Sequence, residues 1–64
     1  MFNIGDRVRV VGYDEKFRFS DGFNGQEFTV KGQVSEETYK DGSVHAVFNC
    51  DGYFFADDEL ELVV

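Results

Sequence analysis

At 64 residues with a single cysteine, this chain has room for one small core and none for a disulfide framework within itself. Its 13 carboxylates against 6 Lys and Arg give a formal charge of −7, which argues against general nucleic-acid binding, since that needs a basic face to release counterions. No apolar run approaches the length of a membrane span.

The first predicted element follows Asn3-Ile-Gly-Asp-Arg, where Val8 and Val10 point one way and Arg7 and Arg9 the other, the pattern of a half-buried strand. The opening residues lack a charged region followed by an apolar one, so no secretory signal is expected and the expected location is cytoplasmic. Gly12 to Gly25 is a long excursion carrying Tyr13, Phe17, Phe19 and Phe23. It is too apolar for a disordered linker, and the alternation Lys16-Phe-Arg-Phe19 predicts an irregular hairpin folded over the core. Loops of this length in compact domains usually carry function.

A second strand is expected over 26–34, with Phe28, Val30 and Val34 on one face and Gly32 where a bend or bulge fits. Ser35 to Gly42 reads as a polar connection turning at Asp41-Gly42. Val44, Ala46 and Phe48 then share one face of a third strand. Asp51-Gly52 between apolar runs predicts a type I′ hairpin turn, which needs positive φ. After the fourth strand, Asp57-Asp58-Glu59 reads as one helical turn with its acids at the N-terminus, and Leu60, Leu62 and Val64 form a closing strand. The chain is read as a single domain over 1–64, with Val8, Val10, Phe28, Val30, Val44, Ala46, Phe48, Leu60 and Leu62 inward. Eight Phe and three Tyr supply large buried areas to offset the short length.

Five strands, a long first loop, a tight Asp-Gly hairpin and a helical turn before the last strand resemble the SH3-like barrel. The residues look most like small domains that open with Gly-x-x-Val-x-Val, here Gly5-Asp-Arg-Val-Arg-Val10. Such domains close on segments similar to Val44-x-Ala-x-Phe48 and Phe55-Ala-Asp-Asp-Glu-Leu-Glu-Leu-Val63. KOW-type ribosomal and transcription domains share this outline, as does the small peripheral photosystem I subunit that helps dock ferredoxin. The resemblance implies an all-β, five-stranded antiparallel barrel and specifies function less. KOW domains and the photosystem subunit are expected to meet their partners through basic surfaces, which this acidic chain lacks. Signalling SH3 domains read Pro-rich ligands through a groove that normally holds a Trp, and there is none here.

Nothing forms a catalytic signature. His45 and Cys50 have opposite parity on one strand and lie about 16 Å apart by strand rise, too far for a base and its thiolate. His45, opposite in parity to Phe48, is expected as a surface side chain. Zinc needs several Cys or His at short intervals, and Asp57, Asp58, Glu59 and Glu61 have no calcium-loop spacing, so no metal and no cofactor is expected.

The charge points instead to a protein partner. Arg7, Arg9, Lys16, Arg18 and Lys31 balance Asp6, Asp14, Glu15, Asp21 and Glu27 in residues 1–31. Beyond them Lys40 alone faces Glu36, Glu37, Asp41, Asp51, Asp57, Asp58, Glu59 and Glu61. The expectation is a non-catalytic interaction module that docks on a basic surface. Tyr13, Phe17, Phe19 and Tyr53 would anchor it, and Glu36, Glu37, Asp57, Asp58 and Glu61 would steer it. Its size and acidity also fit a phage- or plasmid-type inhibitor whose carboxylates stand in for phosphates. Two alternatives are a nucleic-acid binder using Arg7, Arg9, Lys16, Arg18 and Lys31 with Phe17 and Phe19 as stacking surfaces, and an aromatic-cage reader of methylated Lys or Arg.

Overall fold

The computed structural model describes residues 2–12 and 22–64. Its elements are β1 (Arg7–Val10), β2 (Glu27–Thr38), β3 (Val44–Cys50), β4 (Tyr53–Ala56), one turn of 3-10 helix (Asp57–Glu59) and β5 (Leu60–Leu62). The strands form one antiparallel sheet in the order β4-β3-β2-β1-β5. No helix among the described residues is long and apolar enough to cross a membrane.

β2 organises the sheet because it is long enough to serve two neighbours. Its first residues pair with β1, Val8 opposite Phe28, and the remainder runs beside β3 as far as Thr38 opposite Val44. Two register shifts interrupt the second half, one between Val30 and Gly32 and one between Gln33 and Ser35. Each is a one-residue bulge that bends the strand and raises its twist. The bend expected at Gly32 is therefore present. The two bulges together explain why Val34 is 52% exposed: the first reverses the parity, so that Gln33 lies opposite buried Phe48, and the second leaves Val34 as the extra residue outside the ladder.

The core is Val8, Val10, Phe28, Val30, Ala46, Phe48, Cys50, Phe55 and Leu60, with Phe2 and Phe23 packed against it. Seven of the nine residues expected inward lie there; Val44 and Leu62 do not, being 57% and 48% exposed. Val44 pairs with Thr38 at the far end of the β2–β3 ribbon, beyond the reach of β1 and β4, so no third strand covers it. Leu62 pairs with Val8 but lies on β5, an edge of the sheet. Cys50, Phe55 and Ala56 join the interior instead.

The polar connection expected from Ser35 is shorter than the composition suggests. Ser35 to Thr38 continue β2, and the turn proper is closed by hydrogen bonds from the Tyr39 amide to the Ser43 carbonyl (2.8 Å) and from the Gly42 amide to the Tyr39 carbonyl (3.0 Å). Ladder pairing with β3 overrides the low strand preference of Ser35-Glu-Glu-Thr38. The Asp51-Gly52 hairpin is as expected, with φ of 55° and 94°. Of the long first loop, Phe23 packs edge-on against Phe55 (5.5 Å between centroids) and Tyr53 (4.9 Å). Tyr13, Lys16, Phe17, Arg18 and Phe19 lie outside the described residues.

Candidate functional site: an acidic junction around His45

Pairing of β4 with β3 places Ala56 opposite Val47, so the 3-10 turn that follows starts beside Ala46 and His45. Asp57 occupies the first position of that turn, and its Oδ2 accepts a hydrogen bond from the Ala46 amide (3.3 Å). His45 points away from the core, as its parity requires, but it is not a free surface side chain. Its ring stacks on Tyr39 at 4.0 Å with 26° between planes, and its side chain is 20% exposed.

Both imidazole nitrogens are engaged. Nδ1 lies 2.6 Å from Asp57 Oδ1, and Nε2 lies 2.9 Å from Ser43 Oγ. The Ser43 hydroxyl donates to Asp41 Oδ1 (2.6 Å), which also accepts the Ser43 amide (2.9 Å). Tyr39 donates its hydroxyl to Asp58 Oδ1 (2.9 Å). Glu37 is the register partner of His45 on β2. Five side chains from the hairpin and two from the 3-10 turn thus meet at one junction, with an open hollow beside it lined by Glu37 to Asp41.

The electrostatics follow from these contacts. The hydrogen bond to Asp57 raises the His45 pKa above its ordinary value against the opposing effect of desolvation, and the charges of Asp57, Asp58 and Asp41 add to the rise. Partial burial works to raise the Asp57 pKa, but the bonds from His45 and the Ala46 amide outweigh it and hold the carboxyl below its usual range. The Ser43 hydroxyl and amide lower that of Asp41. Burial, then the hydrogen bond to Asp58, pushes the Tyr39 phenol well up.

The expected steering residues divide. Glu37, Asp57 and Asp58 come together here, and Glu36 is exposed next to Glu37 on β2. Glu61 does not join them: it accepts from Arg9 (2.9 Å) on the β1–β5 pair. Tyr53, 49% exposed, belongs to a separate cluster with Phe23 and Phe28. The basic residues of the nucleic-acid alternative are paired as well. Arg7 and Arg9 meet Glu27 at 3.6 and 3.4 Å, and Lys31 meets Asp51 at 3.7 Å. Among the described residues no Lys or Arg pairs with Glu36, Glu37, Asp41, Asp57 or Asp58.

Asp41, Ser43, His45 and Tyr39 are the members that the sequence reasoning missed. Asp41, Ser43 and His45 follow one another at a spacing of two through the turn into β3, and that closeness is visible in the sequence. Their meeting with Asp57 depends on the β3–β4 register and is not.

The order Ser43–His45–Asp57 is that of a nucleophilic triad, but the chemistry differs. The Ser43 hydroxyl is held by Asp41 at 2.6 Å, a shorter contact than the 2.9 Å to His45 Nε2, so its proton is engaged by the carboxylate rather than by the ring. Metal ligation meets a similar obstacle. Atoms of His45, Asp57 and Asp58 lie within 4.8 Å of one another, yet a cation would have to displace a proton from a ring nitrogen that already has a hydrogen-bond partner. The four acids of the 57–61 segment do not converge either, since Glu59 folds back to accept the Ala56 amide (2.8 Å) and Glu61 serves Arg9.

Comparison with protein-family models, with curated proteins and with solved structures finds no match to this chain.

Proposed function

We propose that this chain is a non-catalytic interaction module, an SH3-like barrel whose acidic junction docks on a basic protein surface. The observation that carries this reading is the segregation of charge. Among the described residues Arg7, Arg9 and Lys31 are matched by Glu27, Glu61 and Asp51, whereas Glu36, Glu37, Asp41, Asp57 and Asp58 have no Lys or Arg partner, and the last four gather at the His45 junction. Concentrated charge of one sign raises the encounter rate with a complementary partner. Phe54 and Tyr53, both about half exposed, offer apolar area for the complex once formed, with Tyr13, Phe17 and Phe19 as further anchors.

The barrel reading rests on β2, bent by its two bulges and shared between β1 and β3, with the 3-10 turn leading into β5. In its most specific form the module is a phage- or plasmid-type inhibitor working in the cytoplasm, its carboxylates replacing the phosphates that a nucleic-acid-binding host protein would contact. Nucleic-acid binding by the chain itself is disfavoured, since Arg7, Arg9 and Lys31 would first have to leave their carboxylate partners. The aromatic-cage reading loses support too: Phe23, Phe28, Tyr53 and Phe55 pack against one another rather than around an opening.

The test is capture from a host lysate on immobilised protein, mass spectrometry, and association kinetics with the captured partner. Replacing Glu36, Glu37 and Asp58 by Lys together should slow association several-fold and flatten its salt dependence, with less change in dissociation. Glu61→Lys should do less, because Glu61 is already matched by Arg9. Unchanged rates at low salt for the folded triple variant would show that the acidity does not steer.

A further inference from the structure

The protonation state of His45 follows from the directions of the hydrogen bonds around it. Ser43 has one hydroxyl proton, and it lies on the 2.6 Å bond to Asp41, whose carboxylate has none to give. In that arrangement Ser43 Oγ accepts from His45 Nε2 at 2.9 Å. Nδ1, 2.6 Å from a carboxylate oxygen of Asp57, must also donate. With the Ser43 proton on its shorter contact, to Asp41, both ring nitrogens donate and the ring is an imidazolium.

We propose that His45 is the pin of a proton-operated clasp between the β2–β3 hairpin and the 3-10 turn, closed when the ring holds two protons and loosened when it holds one. The clasp does not depend on the partner-docking reading, because every group in it belongs to this chain.

The setting favours the charged form from each side. Glu37 faces His45 from β2, the Tyr39 ring and Asp41 from the hairpin turn, and Asp57 and Asp58 from the 3-10 turn. Lys40, at the same turn, makes no ion pair with any of them. When one proton leaves, Nδ1 keeps its contact with Asp57 but the bond to the 3-10 turn is no longer that of a cation to a carboxylate, and Nε2 becomes an acceptor. Ser43 must then turn its hydroxyl from Asp41 to the ring, or leave the ring nitrogen without a partner. Either way the hairpin tip loses one charge-assisted bond, while the formal charge falls by one unit to −7. The tip is sensitive to this loss because β1 and β4 do not extend to it. The tip's own tie to the 3-10 turn is the bond from Tyr39 to Asp58, while His45 and the Ala46 amide of β3 stay on Asp57.

The sign follows by linkage. The folded-state pKa lies above that of the unfolded chain, so the clasp stabilises fully below about 6.5 and its contribution disappears as pH rises through the folded value. Acidification closes the hairpin onto the turn; alkalinity frees it.

The closing experiment is an NMR titration of the imidazole Cε1–H, unambiguous because the chain has one histidine. The resonance should titrate above 6.5, and Asp57→Asn should bring its midpoint back toward that value. Hydrogen-exchange protection of the Tyr39 and Gly42 amides, which close the hairpin, should fall across the same midpoint. His45→Gln should hold that protection constant over the same pH range. Ser43→Ala gives a second route if Asp57→Asn does not fold, because it removes the acceptor at Nε2 and should also lower the midpoint. A wild-type midpoint at or below 6.5, or tip protection that does not change across it, would overturn the clasp.

Discussion

Phe54 and Phe55 are adjacent, chemically identical and on the same strand, so replacing each by Ala isolates the effect of the face on which it lies. Phe55 is 2% exposed, sits opposite Phe48 in the ladder, and has the rings of Phe23 and Phe28 at 5.5 and 5.6 Å. Truncating such a side chain removes its transfer free energy and leaves a cavity, together costing about 3–5 kcal/mol. A single core in a chain below roughly 70 residues supplies about 3–5 kcal/mol in all. Phe55→Ala should therefore be largely unfolded in buffer. Phe54, 56% exposed beside Asn49, leaves no enclosed void, and its loss should cost about 1 kcal/mol or less. Urea unfolding followed by far-ultraviolet circular dichroism measures both, with an excluded osmolyte added to bring Phe55→Ala back into a measurable range. Equal losses would refute the assignment of inner and outer faces to β4, and with it the register that brings Asp57 to His45.

Two further substitutions probe how the 3-10 turn is held. A Cβ on Gly12 would lie 2.8 Å from the Asp58 carbonyl oxygen and 3.3 Å from Glu59 Cα, both backbone atoms, so Gly12→Ala should cost about 1–3 kcal/mol and lower the melting temperature. Glu59→Ala removes the acceptor of the buried Ala56 amide and should cost about 1–3 kcal/mol in urea unfolding, whereas Glu59→Gln keeps an acceptor oxygen and should lose less.

Period-two parity made most of the fold legible. Val8, Val10, Phe28, Val30, Ala46, Phe48 and Leu60 could be assigned inward from alternation alone, and Asp51-Gly52 announced its turn through the need for positive φ. Parity failed where the ladder or the sheet ends. At Val34 a bulge adds a residue and reverses the alternation; at Val44 and Leu62 the face is right but nothing covers it. The site was less legible for a related reason. Glu37, Asp57 and Asp58 were identifiable as acids without basic neighbours in sequence, but their convergence on His45 is a long-range consequence of two registers, β2 with β3 and β3 with β4. Glu61 is close to Asp57 and Asp58 in sequence but not in space. The strand that follows the turn carries it to Arg9.

The arrangement of the acids also bears on whether their excess serves only solubility. That role is met by carboxylates spread over any exposed surface, and mutual repulsion favours spreading them. Here the opposite holds. Glu37, Asp41, Asp57 and Asp58 lie close enough for their charges to act on the same Tyr39 or His45, and their repulsion is offset locally by one imidazolium and by two donated hydroxyl protons. Arg7, Arg9 and Lys31, which could have offset it, are instead committed to the β1–β2–β5 region and the β3–β4 hairpin. Clustering of this kind costs folding free energy without improving solubility over a dispersed pattern. Its field is the feature on which the proposed docking rests, and its source changes by a full charge when a single proton leaves His45. The same geometry thus supports both docking and its dependence on pH, and the two can be separated: the clasp is measured on the isolated protein, the steering only with a partner present.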